Sequence, residues 1–181
     1  MNNRHYSSIG IIISRRNFSE ADRILTLYTE TFGKLKFIAK GIRKLGSRKR
    51  GHLEIFSMIK FSASKTTNLP LLTEVETIDD FGSVREDLRK VAVGYYFMEV
   101  IEKITQEGEK NTFLFGHLVS YLNLLQSSGD LKKLRESFVR DTLTLTGFWP
   151  QGQTSSNIDL ILENVTERKF VSSIVGKKLL G

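Results

Sequence analysis

The chain has 181 residues, 40% of them hydrophobic, so it is long enough to bury the core of one large domain or two small ones. It contains no cysteine, which excludes disulfides, thiol nucleophiles and cysteine-ligated zinc and fits a reducing compartment. The formal net charge of +7 is uneven, because residues 1–80 hold fourteen Lys or Arg against eight Asp or Glu and residues 81–181 hold thirteen against twelve. This excess predicts a polyanionic partner for the first half.

Apolar runs in the sequence are short. The run at 9–13 is too short for the hydrophobic region of a signal peptide, and no stretch approaches the length of a membrane span. We therefore expect a soluble, cytoplasmic protein that has no membrane partner.

The first half has the pattern of β-strands. Runs rich in Ile, Leu, Thr and aromatic residues, or alternating between two faces, predict strands at 9–15, 23–29, 35–39, 58–64 and 71–78. A hairpin turn is predicted at 31–34. Alternation places Ile59 and Phe61 on one face of the fourth strand, and Leu72 together with Glu74 on one face of the fifth. Five short strands predict a small closed barrel, because an open sheet would leave edges to protect.

From about residue 81 the apolar period becomes that of helices. Ser83 and Glu86 match a capping box at the start of a helix that we expect to end at Gly108. Its predicted buried stripe consists of Val84, Leu88, Val91, Tyr95, Met98, Ile101 and Ile104. Further helices are predicted at 113–126, from Asp130 to Gly147, and at 158–170 behind an Asn157 cap. The second half is therefore predicted to be an all-helical bundle.

Sequence patterns typical of enzymes are incomplete here. Gly41 and Gly46 have the spacing of a phosphate-binding P-loop, but Ser47 and Arg48 follow where Lys and then Ser or Thr are needed. The three histidines lie far apart, and the carboxylates of the 71–78 strand fit a solvated face. We therefore predict neither an enzyme nor a cofactor or metal site.

The segment 34–50 carries eight basic residues and no acidic one, and glycines punctuate it. Taken alone, a run of charge is often only a solvated loop. Charges of one sign repel one another unless a partner relieves them, and a glycine-rich loop between strands can follow an irregular polymer. These features favour a nucleic-acid groove, with phosphates on the basic side chains and bases on a barrel face.

Two parts of the sequence are similar to a known family. The N-terminal domain of the RecO family of bacterial recombination mediators resembles residues 18–57, FSEADRILTLYTETFGKLKFIAKGIRKLGSRKRGHLEIFS. The family's helical domain is similar to REDLRKVAVGYYFMEVIEKITQEGE and LTLTGFWP. The resemblance implies an α+β chain, all-β and then all-α, with an OB-fold nucleic-acid-binding barrel at 1–80 and a helical domain at 81–181.

The resemblance also implies a function in DNA repair and recombination. It implies binding of single- and double-stranded DNA, annealing of complementary strands and, with RecR, loading of RecA onto strands coated by single-strand-binding protein. The DNA contacts of the family fall on the basic strands and loop of the barrel. Carried over to this sequence, they are Lys36, Lys40, Arg43, Lys44, Arg48, Lys49 and Arg50.

One departure from the family concerns zinc. Many members carry a four-cysteine zinc module just after the segment that matches 147–150, whereas residues 151–156 read QGQTSS here. The alternative to a DNA-binding mediator is a non-enzymatic adaptor, in which the helical surface binds protein and the barrel binds RNA or nothing.

Overall fold

A computed structural model of the chain describes residues 5–43, 53–149 and 158–166. The chain divides into two units. The first comprises Met1–Asp80 together with Gln106–Asn111, and the second comprises Phe81–Thr105 and Thr112–Gly181. The short segment Gln106–Asn111 therefore groups with the first unit, although it lies within the range that the sequence assigned to the helical domain.

The first unit is built on five strands. They are β1 (His5–Asn17), β2 (Arg23–Thr29), β3 (Gly33–Ala39), β4 (Met58–Ser64) and β5 (Leu71–Asp79). The strands close into a barrel in the order β1-β2-β3-β5-β4, with β3 parallel to β5 and the other pairs antiparallel. The five predicted strands and the predicted OB-fold barrel are confirmed.

The barrel interior is filled by alternate residues of each strand. In β4, Ile59, Phe61 and Ala63 are buried while Lys60 is exposed, as the alternation predicted. The other members of this core are Ile12, Leu25, Leu27, Phe37, Ala39, Ile42, Leu53 and Leu72. Alternation in the sequence predicted the inward residues of β4, whereas Ile42 and Leu53 lie outside the strands and could not be found from a period of two.

The prediction that Leu72 and Glu74 share one face of β5 is wrong. Ser62 pairs with Glu74 and Ala63 pairs with Leu72, so Thr73 is an extra residue in the ladder. A β-bulge of this kind puts two residues opposite one and changes which side chains face inward. Leu72 is consequently buried whereas Glu74 is exposed. The turn before β3 is also shorter than predicted, since the strand already begins at Gly33.

The second unit is helical, as predicted. Its helices are α1 (Gly82–Arg85), α2 (Leu88–Ile104), α3 (Thr112–Ser127), α4 (Leu131–Leu145) and α5 (Ile158–Thr166). The rings of Phe97 in α2 and Phe138 in α4 stack with centroids 4.0 Å apart, and both side chains are fully buried. Residues 167–170 of the last predicted helix, and its predicted cap Asn157, lie outside the described residues.

The predicted start and end of α2 are wrong. Ser83 lies inside α1, and the residue that caps α2 is Asp87, whose carboxylate accepts a 2.8 Å hydrogen bond from the Arg89 amide. Asp87 is extended and separates α2 from α1, which ends at Arg85. At the other end, α2 stops at Ile104 rather than at Gly108.

The predicted buried stripe is confirmed at Val84, Met98 and Ile101 and is wrong at two other positions. Leu88 is 75% exposed and Tyr95 is 43% exposed, whereas Val93, Phe97 and Val100 are buried. The helix is apolar on most of its circumference between residues 91 and 101, so the sequence period fits more than one face. Packing in the folded bundle selects among them. Within the described residues, no helix has both the length and the apolar character needed to cross a membrane.

Candidate nucleic-acid interface

Two loops at one end of the barrel are joined by hydrogen bonds. We call them the latched loops: residues 18–22 between β1 and β2, and residues 40–43 after β3. The Asp22 carboxylate accepts a 2.8 Å hydrogen bond from the Gly41 amide, and the Arg43 amide donates to the Ala21 carbonyl at 3.0 Å. Arg43 Nη1 donates to the Ser19 carbonyl at 2.9 Å. The start of the basic segment is thus held against the neighbouring loop.

The sequence of the second loop explains its conformation. Gly41 has a φ of 67°, in the left-handed region that favours glycine. Ile42, the next residue, is 1% exposed and belongs to the barrel core. Ile42 points into the core, whereas Lys40, which precedes Gly41, and Arg43, which follows Ile42, are exposed. A buried anchor therefore places two cations at the barrel surface.

A third predicted contact residue, Lys36, lies on the outer face of β3. Its side chain is 46% exposed, and its Nζ is 3.4 Å from Glu107 Oε2 in the segment Gln106–Asn111. An ion pair this exposed contributes little to stability, so a phosphate can compete with Glu107 for the lysine. Of the seven predicted contact residues, the structure describes three, and all three are exposed: Lys36, Lys40 and Arg43. The other four lie outside the described residues: Lys44, Arg48, Lys49 and Arg50.

The outer face of β2 is buried, which the sequence did not predict. Leu25 and Leu27 point inward, yet Ile24, Thr26 and Tyr28 on the opposite face are 3%, 6% and 0% exposed. Burial raises the pKa of the Tyr28 hydroxyl well above its usual range, and the hydroxyl donates to the Asn111 carbonyl at 3.3 Å. Strands β2 and β3 commonly carry the ligand face of an OB-fold. Here the exposed cations lie on β3 and the latched loops instead.

Two further arginines are engaged within the barrel. Arg15 forms an ion pair with Glu54, and Arg23 Nη1 lies 3.7 Å from the same carboxylate. By contrast Phe18, in the first latched loop, is 55% exposed. An exposed aromatic ring beside basic residues is suited to stacking on a base. The sequence signal for Phe18, an aromatic residue in a loop between two strands, was too common to single it out.

The described residues contain no group of three or more His, Asp or Glu side chains able to hold a metal ion. The sequence also contains no cysteine. His117 in α3 packs against the Phe138 ring with centroids 5.1 Å apart and places Nε2 3.0 Å from Thr142 Oγ1. This is the environment of a histidine that serves packing.

Comparison with known proteins gives two family matches. Recombination protein O N terminal matches residues 1–81, and Recombination protein O C terminal matches residues 85–159. The DNA repair protein RecO of Pelotomaculum thermopropionicum is 34% identical over 176 residues, covering 97% of this chain and 67% of that protein.

Two other similar proteins carry the same name. The one from Roseiflexus sp. (strain RS-1) is 29% identical, covering 93% of this chain and 59% of its own length. The one from Alkaliphilus metalliredigens is 30% identical, covering 82% and 63%. The chain therefore spans roughly three fifths to two thirds of the length of these relatives.

Proposed function

The chain belongs to the Recombination protein O family, whose curated relatives are named DNA repair proteins, and on that premise we propose that it is a DNA-binding recombination mediator. It binds single- and double-stranded DNA through the barrel and anneals complementary strands. With RecR, it helps to load RecA onto single strands that are coated by single-strand-binding protein. It does so without catalysing a covalent reaction.

The latched loops are the observation that supports this proposal most directly. They hold the start of a segment with eight basic residues and no acidic one at the barrel surface. Phosphate contacts by lysine and arginine provide affinity without sequence preference, as annealing of any two complementary strands requires. Exposed Phe18 adds a ring on which a base can stack.

A salt series tests the proposal. If Lys40 and Arg43 meet phosphates, binding of single strands releases counterions, and the logarithm of affinity falls with the logarithm of salt by about 0.7 per contact. Four to six contacts give a slope of roughly −3 to −4. Replacing both residues by Gln should flatten the slope by about 1.4 and weaken all sequences alike.

The matched control is the double variant Lys60→Gln, Lys132→Gln. It removes the same charge from exposed positions in β4 and α4, which are not part of the latched loops. Its slope should stay near that of the wild type. Equal slopes for both variants would show that only overall charge matters. Wild-type protein that binds RNA but neither form of DNA would favour the adaptor instead.

A further inference from the structure

A cavity of about 620 Å³ lies in the barrel unit. Its walls are Tyr6 at the start of β1, Phe32 in the turn before β3, Leu35 of β3 and Pro70 before β5. The Tyr6 and Phe32 rings meet edge to face with centroids 5.1 Å apart. The cavity therefore offers aromatic and aliphatic walls, in the size range typical of small-molecule sites.

Basic side chains surround this aromatic cavity. Among the described residues that line it, the ionisable side chains besides Tyr6 are His5, Lys65 and Lys110, and none is acidic. The two glutamates that flank Gly108 in the chain do not line the cavity. Glu107 pairs with Lys36, and Glu109 is close enough to Tyr28 for its charge to contribute to the raised pKa of that hydroxyl.

A ligand that matches these walls has a flat apolar ring and an attached anion. A nucleotide has both: a base can stack on an aromatic side chain, and a phosphate can bind lysine. The cavity lies near the start of β3, which contributes Leu35, and the latched loops lie at the other end of that strand. Seven residues of strand span roughly 20 Å, within reach of the several nucleotides that one OB-fold contacts.

We propose that this cavity is a nucleotide pocket, in which a base lies against Tyr6 and Phe32 and its phosphate binds Lys65 or Lys110. The inference rests on the proposed function in that the nucleotide belongs to a bound single strand. A free nucleotide has the same chemistry and can occupy the same pocket.

The first experiment uses free nucleotide and therefore does not depend on DNA binding. Thymidine 5′-monophosphate is titrated into the full ¹⁵N-labelled chain, with deoxyribose 5-phosphate as the anion that lacks a base. The amides of Phe32, Lys65 and Lys110 should shift with the nucleotide and much less with the sugar phosphate. No shift with millimolar nucleotide, or shifts with an acidic peptide alone, would overturn the inference.

The second experiment uses a single strand of thymidines and an abasic strand with the same number of phosphates. Phe32→Leu keeps an apolar side chain but removes the ring, so affinity for the thymidine strand should fall about fivefold or more. Affinity for the abasic strand should stay unchanged, and Phe32→Tyr should restore binding. A thermal melt of each variant checks that the barrel is folded.

The outcomes separate the two proposals. If the wild type binds the thymidine strand and Phe32→Leu binds it equally well, the pocket is refuted and DNA binding stands. If the wild type binds neither strand, the proposed function fails, and the free-nucleotide titration alone decides whether the pocket exists.

Discussion

At the scale of single residues, Gly33 has a strict steric requirement. Its φ is 68°, and a Cβ built on it would lie 2.0 Å from the Glu109 carbonyl oxygen. Around it, the Gly108 amide donates to the Lys34 carbonyl at 2.9 Å. The segment Gln106–Asn111 thus rests on the start of β3 at a point where only a glycine leaves room for it.

The substitution Gly33→Ala should destabilise the protein by about 2–4 kcal/mol, because a left-handed backbone and a backbone clash both penalise a side chain there. Gly116→Ala is the control. Gly116 lies in α3 with open space where its Cβ would be, so alanine should stabilise by about 0.5–1 kcal/mol. Thermal melts of the three proteins measure both effects. A Gly33→Ala protein that melts with the wild type would contradict the close approach.

His117 is the second residue whose environment has a measurable consequence. It is partly buried between the Tyr121 and Phe138 rings, and burial lowers its pKa, opposed by the nearby Asp141 carboxylate. The folded protein therefore binds a proton at this ring less readily than the unfolded chain does. The contribution of this residue to stability is therefore complete above the unfolded pKa of about 6.5. It is lost as the pH falls from there through the lower pKa of the folded protein.

The melting temperature should accordingly fall between about pH 7.5 and pH 5.5, and part of that fall should be absent in His117→Gln. Glutamine keeps an amide that can bond Thr142 but does not titrate. Melts of both proteins at the two pH values give the difference, in which the other titrating groups largely cancel. An identical pH dependence in wild type and variant would mean that His117 titrates normally.

At the scale of elements, the latched loops join a β-hairpin to the basic segment. The bond from the Gly41 amide to Asp22 is the part of this latch that can be removed by one side-chain change. Asp22→Ala and Asp22→Asn both remove one negative charge, but only Asn keeps an oxygen that can accept the hydrogen bond. The pair of variants therefore separates loop geometry from charge.

Asp22→Ala should lower the free energy of unfolding by about 1 kcal/mol more than Asp22→Asn, the usual net contribution of one hydrogen bond. It should also bind single-stranded DNA more weakly than the Asn variant, because the basic loop is held less firmly. Denaturant unfolding and DNA titration measure the two effects. Equal DNA affinities, despite a difference in stability, would show that the latch does not position the loop for DNA.

At the scale of the whole molecule, the charge excess lies in the first half of the sequence. The chain has no cysteine, and the described residues contain no cluster of metal ligands. The proposed activity depends on phosphate contacts and base stacking, and we predict that it needs neither a metal nor a nucleotide cofactor.

Complementary strands should therefore anneal faster with the protein than without it, in EDTA and without added nucleotide. The rate should fall steeply as salt rises, because the phosphate contacts are screened. Fluorescence quenching between labelled strands measures the rate, with non-complementary strands as the control. Acceleration that requires magnesium or a nucleoside triphosphate would contradict a non-enzymatic mediator.

The sequence by itself determined the strands, most of the helices and the position of the basic loop. Each depends on a local pattern: a strand with one buried face alternates, and a helix start such as Asp130 has its cap and first turn close together in sequence. Sequence composition likewise located the positive charge. The DNA contacts assigned to that loop remain predictions.

Only the tertiary structure decided which faces are covered. The bulge at Thr73, the exposure of Leu88 and Tyr95 in α2, the burial of Tyr28 and the packing of Gln106–Asn111 against Gly33 were not evident in the sequence. In each case, the partners that determine the outcome are distant in sequence or on another element. A local pattern records that a side chain is apolar, whereas burial depends on what the folded chain places against it.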